Sequence, residues 1–337
     1  MKTSTSRIVK AGIAALVVAA LGCCAFIFLR YNDFWRYTSD TGLSPREAVK
    51  AFGKPSPQLE WLMSLSNAAT DEDWDRLDNL TREDRHSEVG SCYRNLAKAM
   101  KGELSASLMD YYAPFERALF IPVNEESSRL TIALSGEVWY QLGEMTMAEH
   151  SAILGLAFSQ KQNGKRFLQR LGEINRIWGD EQAAAKYFGL TGKPSALDID
   201  QLLYRRSLLP AKDVIHSAGD YRTPLKALVA ANPGNRPAYE YLLCLDLLCK
   251  ELGAFVEDFN PQMPVTRLYQ EAALIYMASS GDHSEQTATL FGIDEKIFSE
   301  FRQFTEMFGN AGFEQIQERF GKTYWFYFKY AVRNEKN

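Results

Sequence analysis

Ser135-Gly136-Glu137-Val138-Trp139-Tyr140-Gln141-Leu142-Gly143-Glu144 returns, displaced by 36 positions (135 to 171), as Leu171-Gly172-Glu173-Ile174-Asn175-Arg176-Ile177-Trp178-Gly179-Asp180. Gly136 falls on Gly172, Glu137 on Glu173 and Gly143 on Gly179, and the register carries onward to set Ala148 on Ala184. Val138/Ile174 and Glu144/Asp180 are conservative exchanges. A period near this length, with small residues at fixed offsets, is the mark of stacked two-helix units, since one unit cannot bury its apolar face alone. The stretch through Pro194 therefore predicts a scaffold, an all-α solenoid of helical hairpins.

The positions of the small residues say how one unit is built. Two antiparallel helices approach closely only where neither carries bulk, and Gly172 with Ala184 is the expected contact. Gly179-Asp180 lies between the helices: glycine takes the left-handed conformation that ends a helix, and aspartate caps the amides of the next. Leu168, Leu171, Trp178, Tyr187 and Phe188 supply the apolar stripe, and Pro194 stops the second helix.

Leu171-Gly172, Gly179-Asp180, Ala184, Tyr187-Phe188 and Pro194 resemble the tetratricopeptide repeat consensus, with the proline about two residues early. The copy at Gly136 is looser, Glu144 standing for the aspartate and Ala152 for the second-helix aromatic. A third partial match follows Asn232-Pro233, where Ala238, Tyr239 and Leu242 occupy repeat-like positions. The resemblance implies a right-handed superhelix with a concave groove for peptides or partner helices. The run from Asn95-Leu96-Ala97 through Ala148-Glu149-His150 and Asn235-Arg236-Pro237-Ala238-Tyr239-Glu240-Tyr241-Leu242 to Tyr269-Gln270-Glu271-Ala272 is similar to an uncharacterised family of bacterial membrane proteins. That likeness brings no activity or site residues with it.

With 38 Lys+Arg against 42 Asp+Glu in 337 residues, a formal charge of −4 argues against a dedicated nucleic-acid surface. Five cysteines include an adjacent pair, Cys23-Cys24; the remaining Cys92, Cys244 and Cys249 form no even framework and read as buried small hydrophobes.

Ala11 to Leu29 carries no charge, has Lys2, Arg7 and Lys10 before it and Arg30 after, and as helix would span about 28 Å, the depth of a bilayer core. Because Phe26-Ile27-Phe28-Leu29 continues past any cleavage site, an uncleaved anchor is the expectation; lipidation at Cys23 or Cys24 and a cleaved signal are the alternatives. The basic N-terminus would stay in the cytoplasm, leaving the bulk in the periplasm or exterior. Expected boundaries are a cytoplasmic tail at 1–10, an anchor at 11–29, a juxtamembrane connector at 30–57 and a helical-repeat domain at 58–333. Tyr31, Phe34, Trp35 and Tyr37 would sit at the headgroups, and the two glycines and three prolines of 41–57 mark a linker broken by a short helix at 46–52.

Beyond Gln58 the apolar pattern is helical almost throughout. Asp71 to Glu88 holds eight acids and three arginines and opens like a calcium loop at Asp71, Asp73 and Asp75. Arg76 replaces the required glycine and Arg82 the required glutamate, so a solvated helix face is expected. Ala118-Leu119-Phe120-Ile121-Pro122 is the one short run that could be extended. Ala238 to Leu252 is apolar on most sides and should be enclosed. The aromatic end, Tyr324-Trp325-Phe326-Tyr327-Phe328-Lys329-Tyr330, would cap the stack or rest on the membrane.

No phosphate loop, dinucleotide fingerprint, nucleophile elbow or thiol motif appears, and His86, His150, His216 and His283 are scattered. No catalytic, cofactor-binding or metal residue is expected; Gly136, Gly143, Ala148, Gly172, Gly179, Asp180, Ala184 and Pro194 are structural. The expected function is a membrane-anchored scaffold binding a protein or peptide partner at the cell envelope. The alternatives are a hydrolase-type envelope enzyme with a composite carboxylate and histidine site on the concave face, and docking onto the membrane or another copy through the aromatic end.

Overall fold

The computed structural model describes residues 28–83, 87–159, 161–212, 217, 219–281 and 284–333, and among these the fold is all-α with no strand. The apolar run at 11–29 lies outside them except for Phe28 and Leu29. Within them, no helix is long and apolar enough to cross a membrane.

The expected connector belongs to the folded body. Helix α1 (Asn32–Asp40) buries Phe34 and Tyr37 completely in the main core, and α2 (Pro45–Phe52), opened by a Ser44/Glu47 capping box, buries Ala48. Neither of those two aromatics is free to reach a headgroup. What holds α1 is a remote cap: the Glu60 carboxylate on α3 (Pro57–Thr70) accepts from the Asp33 and Phe34 amides at 2.9 and 2.8 Å, meeting donors that the helix start leaves open. Arg76 on α4 (Trp74–Thr81) then pairs with Asp33 at 2.6 Å. The body thus begins about 26 residues before Gln58, because aromatic residues that follow an anchor and those that fill a core look alike in sequence.

The duplicated stretch folds as two antiparallel hairpins, α7 (Arg129–Leu142) with α8 (Met145–Ala157) and α9 (Lys165–Trp178) with α10 (Glu181–Thr191), packed through α8 against α9. Gly143 and Gly179 end their first helices at φ 101° and 89°, and Glu144 and Asp180 accept from the Met147 and Ala183 amides. Gly136 is a close contact, since a Cβ there would stand 2.2 Å from Ser151 Cβ. At Gly172 the nearest neighbour is the Phe188 ring, 2.5 Å from where a Cβ would be, and not the expected Ala184. Trp178, at the end of α9, is 41% exposed and lies outside the apolar seam. The second hairpin stops at Gly192 (φ 68°), two residues before Pro194, so the left-handed glycine and not the proline terminates it. The helix α11 (Ile199–Ser207) follows, and Tyr140, Ala148, Ile174, Ile177 and Leu202 form the seam.

The centre of the molecule is α13 (Arg236–Leu248), buried at every position from Ala238 to Leu248. It is flanked by α12 (Arg222–Ala231), α14 (Leu252–Asp258), α5 (Glu88–Met100) and the single turn α6 (Leu104–Ser107). Ala118 to Pro122 is not a strand: Ala118 ends a 3-10 turn, Leu119 to Ile121 are buried and irregular, and Pro122 is exposed; the Ala118 and Leu119 carbonyls accept from Asn95 Nδ2 and Cys92 Sγ, and Phe120 stacks on Trp139 and Tyr221. Cys92 and Cys244 are buried, while Cys249 is partly exposed. After α15 (Arg267–Ser280), α16 (Glu285–Leu290), α17 (Glu295–Asn310) and α18 (Phe313–Phe320), the aromatic end forms α19 (Tyr324–Tyr330). Tyr324 and Tyr327 donate to the Leu247 and Leu248 carbonyls at the end of α13, and Trp325 Nε1 to Glu271 O. The aromatic run therefore packs against α13 and α15.

Candidate functional site

A cleft of about 450 Å³ opens where α1, the end of α3, α7, α9 and the segment after α10 converge. Its floor is a charge network built on the repeated acids. Arg170 donates through Nη2 to both Glu137 oxygens at 2.8 and 3.0 Å and through Nη1 to Glu173 Oε2 at 2.9 Å. Its guanidinium lies 3.3 Å from the centre of the Tyr140 ring, and the Tyr140 hydroxyl donates to Glu173. Arg205 of α11 stands 4.3 Å from the same ring, donates to Tyr140 O and Gln141 Oε1, and pairs with Glu72 at 2.7 Å. Arg166 is satisfied without a carboxylate, by Asn67 Oδ1, Ser66 O and Oγ, and Thr70 Oγ1, with the Tyr37 ring beneath it.

The two acids differ because their cations are unequally shared. Burial pushes both carboxyls up; for Glu137 the charges of Arg170 and Arg166 outweigh it and hold the group below the usual carboxylate range. Glu173 keeps a raised pKa, since Arg170 is shared with its neighbour and offsets burial only in part. The Tyr140 hydroxyl is pushed far up by burial, with Glu173 adding to it. Such a floor is fixed in place and self-neutralised. The rim differs: Lys165 and Lys193 line the cleft, are exposed, and have no acidic partner among the described residues.

Of the residues singled out in the sequence, Asp71, Glu173 and Pro194 line this cleft, the Pro194 carbonyl accepting from Gln169 Nε2 at 2.9 Å. Gly136, Ala148, Gly172 and Ala184 lie in helix contacts, and Gly143, Gly179 and Asp180 in turns, so they act as structure. Arg170, Arg166, Arg205 and Tyr140 were not foreseen. The one available signal was Glu137 repeating as Glu173 beside a packing glycine, an acid placed twice on a face that should be apolar.

No histidine lines the cleft among the described residues; His150 is exposed on α8, beside Glu149, whose carboxyl burial pushes up. His86, His216 and His283 lie outside the described residues. The acids of the calcium-like segment are spread apart: Asp71 takes a two-pronged pair from Arg36, Asp73 caps α4 and Asp75 meets Lys101. Among the described residues no group of acids, histidines and cysteines is arranged to hold a metal ion.

Fold and cleft together define an all-α protein of antiparallel hairpins around a buried central helix, with a charged cleft on the duplicated pair. The chain matches, over residues 3–331, the model of a family of unknown function (DUF6057), and it belongs to that family. No curated protein and no solved structure matches it.

Proposed function

We infer that this chain is a membrane-anchored helical-repeat scaffold whose cleft binds a protein or peptide partner at the cell envelope. The observation that carries the reading is the cleft's construction. Helices of both repeat copies supply a floor whose ions are already paired, and the rim offers two unpaired lysines to an incoming acidic segment. A preorganised surface of this kind loses little freedom on binding. The uncharged run Ala11 to Leu29, led by Lys2, Arg7 and Lys10, supports single-pass anchoring with the body facing the periplasm or exterior.

Purification from detergent-solubilised membranes tests the reading. The wild-type protein should retain one partner in stoichiometric amount, and the double charge reversal Lys165→Glu, Lys193→Glu should release it while leaving the melting temperature unchanged. No partner under gentle extraction, or a partner held equally by the variant, overturns it. Anchoring predicts that the protein stays with the membrane through carbonate extraction, and that protease added outside the cytoplasmic membrane reaches the body.

A further inference from the structure

A groove of about 830 Å³, sharing no residue with the cleft, runs between the segment 109–117 on one side and α18, α19 and the chain end at 331–333 on the other. Its surface is aromatic. Tyr111, Tyr112 and Phe313 line it at 38, 43 and 51% exposure, and a group of large rings left open to water is the informative departure from a covered core. Each is held from behind: the buried Arg94 stands 4.3 Å from the centre of the Tyr111 ring, the Tyr112 carbonyl accepts from Ser91 Oγ at 2.8 Å, and Phe313 leans on Phe326 and Tyr330 with ring centres 5.6 and 5.1 Å away. The rings are thus positioned without being covered. The four charged residues of the groove are paired two by two, Arg117 with Glu88 at 3.1 Å and Arg333 with Glu116 at 2.6 Å, and both pairs remain partly exposed.

The chemistry of such a lining selects its ligand. An ion gains nothing here without displacing one partner of a pair, so the ligand is uncharged. It both gives and receives hydrogen bonds, because the carboxylates of Glu88 and Glu116 only accept and the guanidinium groups of Arg117 and Arg333 only donate. It also presents apolar faces to the exposed rings. Hydroxyl groups set around a ring of C–H bonds meet all three conditions. We propose that the groove binds a neutral oligosaccharide, its sugar rings stacked on Tyr111, Tyr112 and Phe313 and its hydroxyls meeting the two ion pairs. The C–H bonds carry the partial positive charge that the negative face of an aromatic ring attracts. A proline-rich peptide also docks in aromatic grooves, but proline carries no backbone N–H, so such a chain brings acceptors for the arginines and no donors for the two carboxylates. A volume of this size is ordinary for small-ligand sites. None of this depends on the cleft or on a protein partner.

Titration calorimetry on the intact protein with maltohexaose, cellohexaose and chitotetraose in its N-acetylated form tests the assignment, with glucose, hexagalacturonate and decaproline as counterparts. At least one of the three neutral oligosaccharides should bind saturably, and glucose, which can cover only one ring, about tenfold more weakly or worse. Hexagalacturonate, which adds a carboxylate to every sugar, and decaproline should bind no better than glucose. Tyr112→Ala and Phe313→Ala should each weaken the oligosaccharide by up to about tenfold and leave the melting temperature unchanged, while Lys165→Gln, in the cleft, should alter neither. Hydrogen exchange needs no variant: the bound oligosaccharide should slow it at residues 109–117 and 313–317 and not at 165–170. Absence of saturable binding by all three, equal or tighter binding of hexagalacturonate or decaproline, unchanged affinity in both ring variants, or protection confined to other segments overturns the proposal.

Discussion

Arg170 neutralises two buried carboxylates at once, so its loss leaves both without their principal counter-charge. Removing one member of a buried ion pair costs about 3–5 kcal/mol, and Arg170→Ala should destabilise by that order in urea denaturation; a change under 1 kcal/mol would mean that the network is not coupled. Opposite pH slopes belong to Glu137 and Asp246. Glu137 is held low, so its stabilisation is present above the unfolded carboxylate pKa and disappears as pH falls through the lower folded value. Asp246, faced by Arg222, Asp258 and Lys226, is raised by burial to about 7. Between roughly pH 4 and 7 the folded state keeps a proton that the unfolded state has lost, so this group's contribution falls as pH rises. Asp246→Asn should flatten that decline, worth at most about 4 kcal/mol, and a wild-type slope unchanged in the variant would refute it. Gly172→Leu drives a side chain into the Phe188 ring and should cost about 1–3 kcal/mol; a neutral result in the same denaturation assay would contradict the tight crossing.

At the scale of elements, one turn recurs more often than glycine announces. Glu72, Gly102, Gly143, Gly179, Gly219 and Lys250 all have positive φ, and each precedes an acid. The amides of Asp73, Glu103, Glu144, Asp180 and Glu251 each donate to the carbonyl five residues back, the closure that ends a helix on a left-handed residue. Glutamate and lysine at 72 and 250 hid two of the turns from a glycine-based reading. Buried acids also cap helices at a distance: Glu240 accepts from the Ser105 amide and Glu271 from Tyr324, as Glu60 does for α1. Glu60→Ala should therefore loosen α1, costing about 0.5–2 kcal/mol, with the earliest hydrogen exchange at residues 33–36. A chain starting at Gln58 should lose cooperative unfolding that a chain starting at Tyr31 retains, since only the latter keeps Phe34 and Tyr37; equal melting of the two would restore the connector reading.

For the molecule as a whole, α13 ties the halves together. Asn235 donates to Leu142 O, Glu240 meets Ser105, and Tyr324 and Tyr327 lock the last helix to its end. A stack held only by neighbour contacts can lose its units separately, whereas this arrangement predicts that far-ultraviolet dichroism and tyrosine fluorescence report one coincident transition. Leu243→Ala, at a site with no exposure, should lower that transition by about 2–5 kcal/mol without splitting it. Two resolved transitions would place the centre elsewhere.

What the sequence alone determined was local: the helical period, the two copies, the caps at Glu144 and Asp180, and an enclosed helix from Ala238, expected to run to Leu252 and ending at Leu248. Each rests on residues within a turn or two of one another, and spacing records such contacts. Tertiary structure alone decided that α1 belongs to the core, that the Phe188 ring stands nearest to Gly172, and that Arg170 joins Glu137 to Glu173. It also decided that Tyr111 and Tyr112 line one groove with Phe313, from a distant segment. Those outcomes depend on which faces meet once the chain is folded, and a charge or a ring carries no mark in the sequence of whether water, a lipid or another helix will cover it.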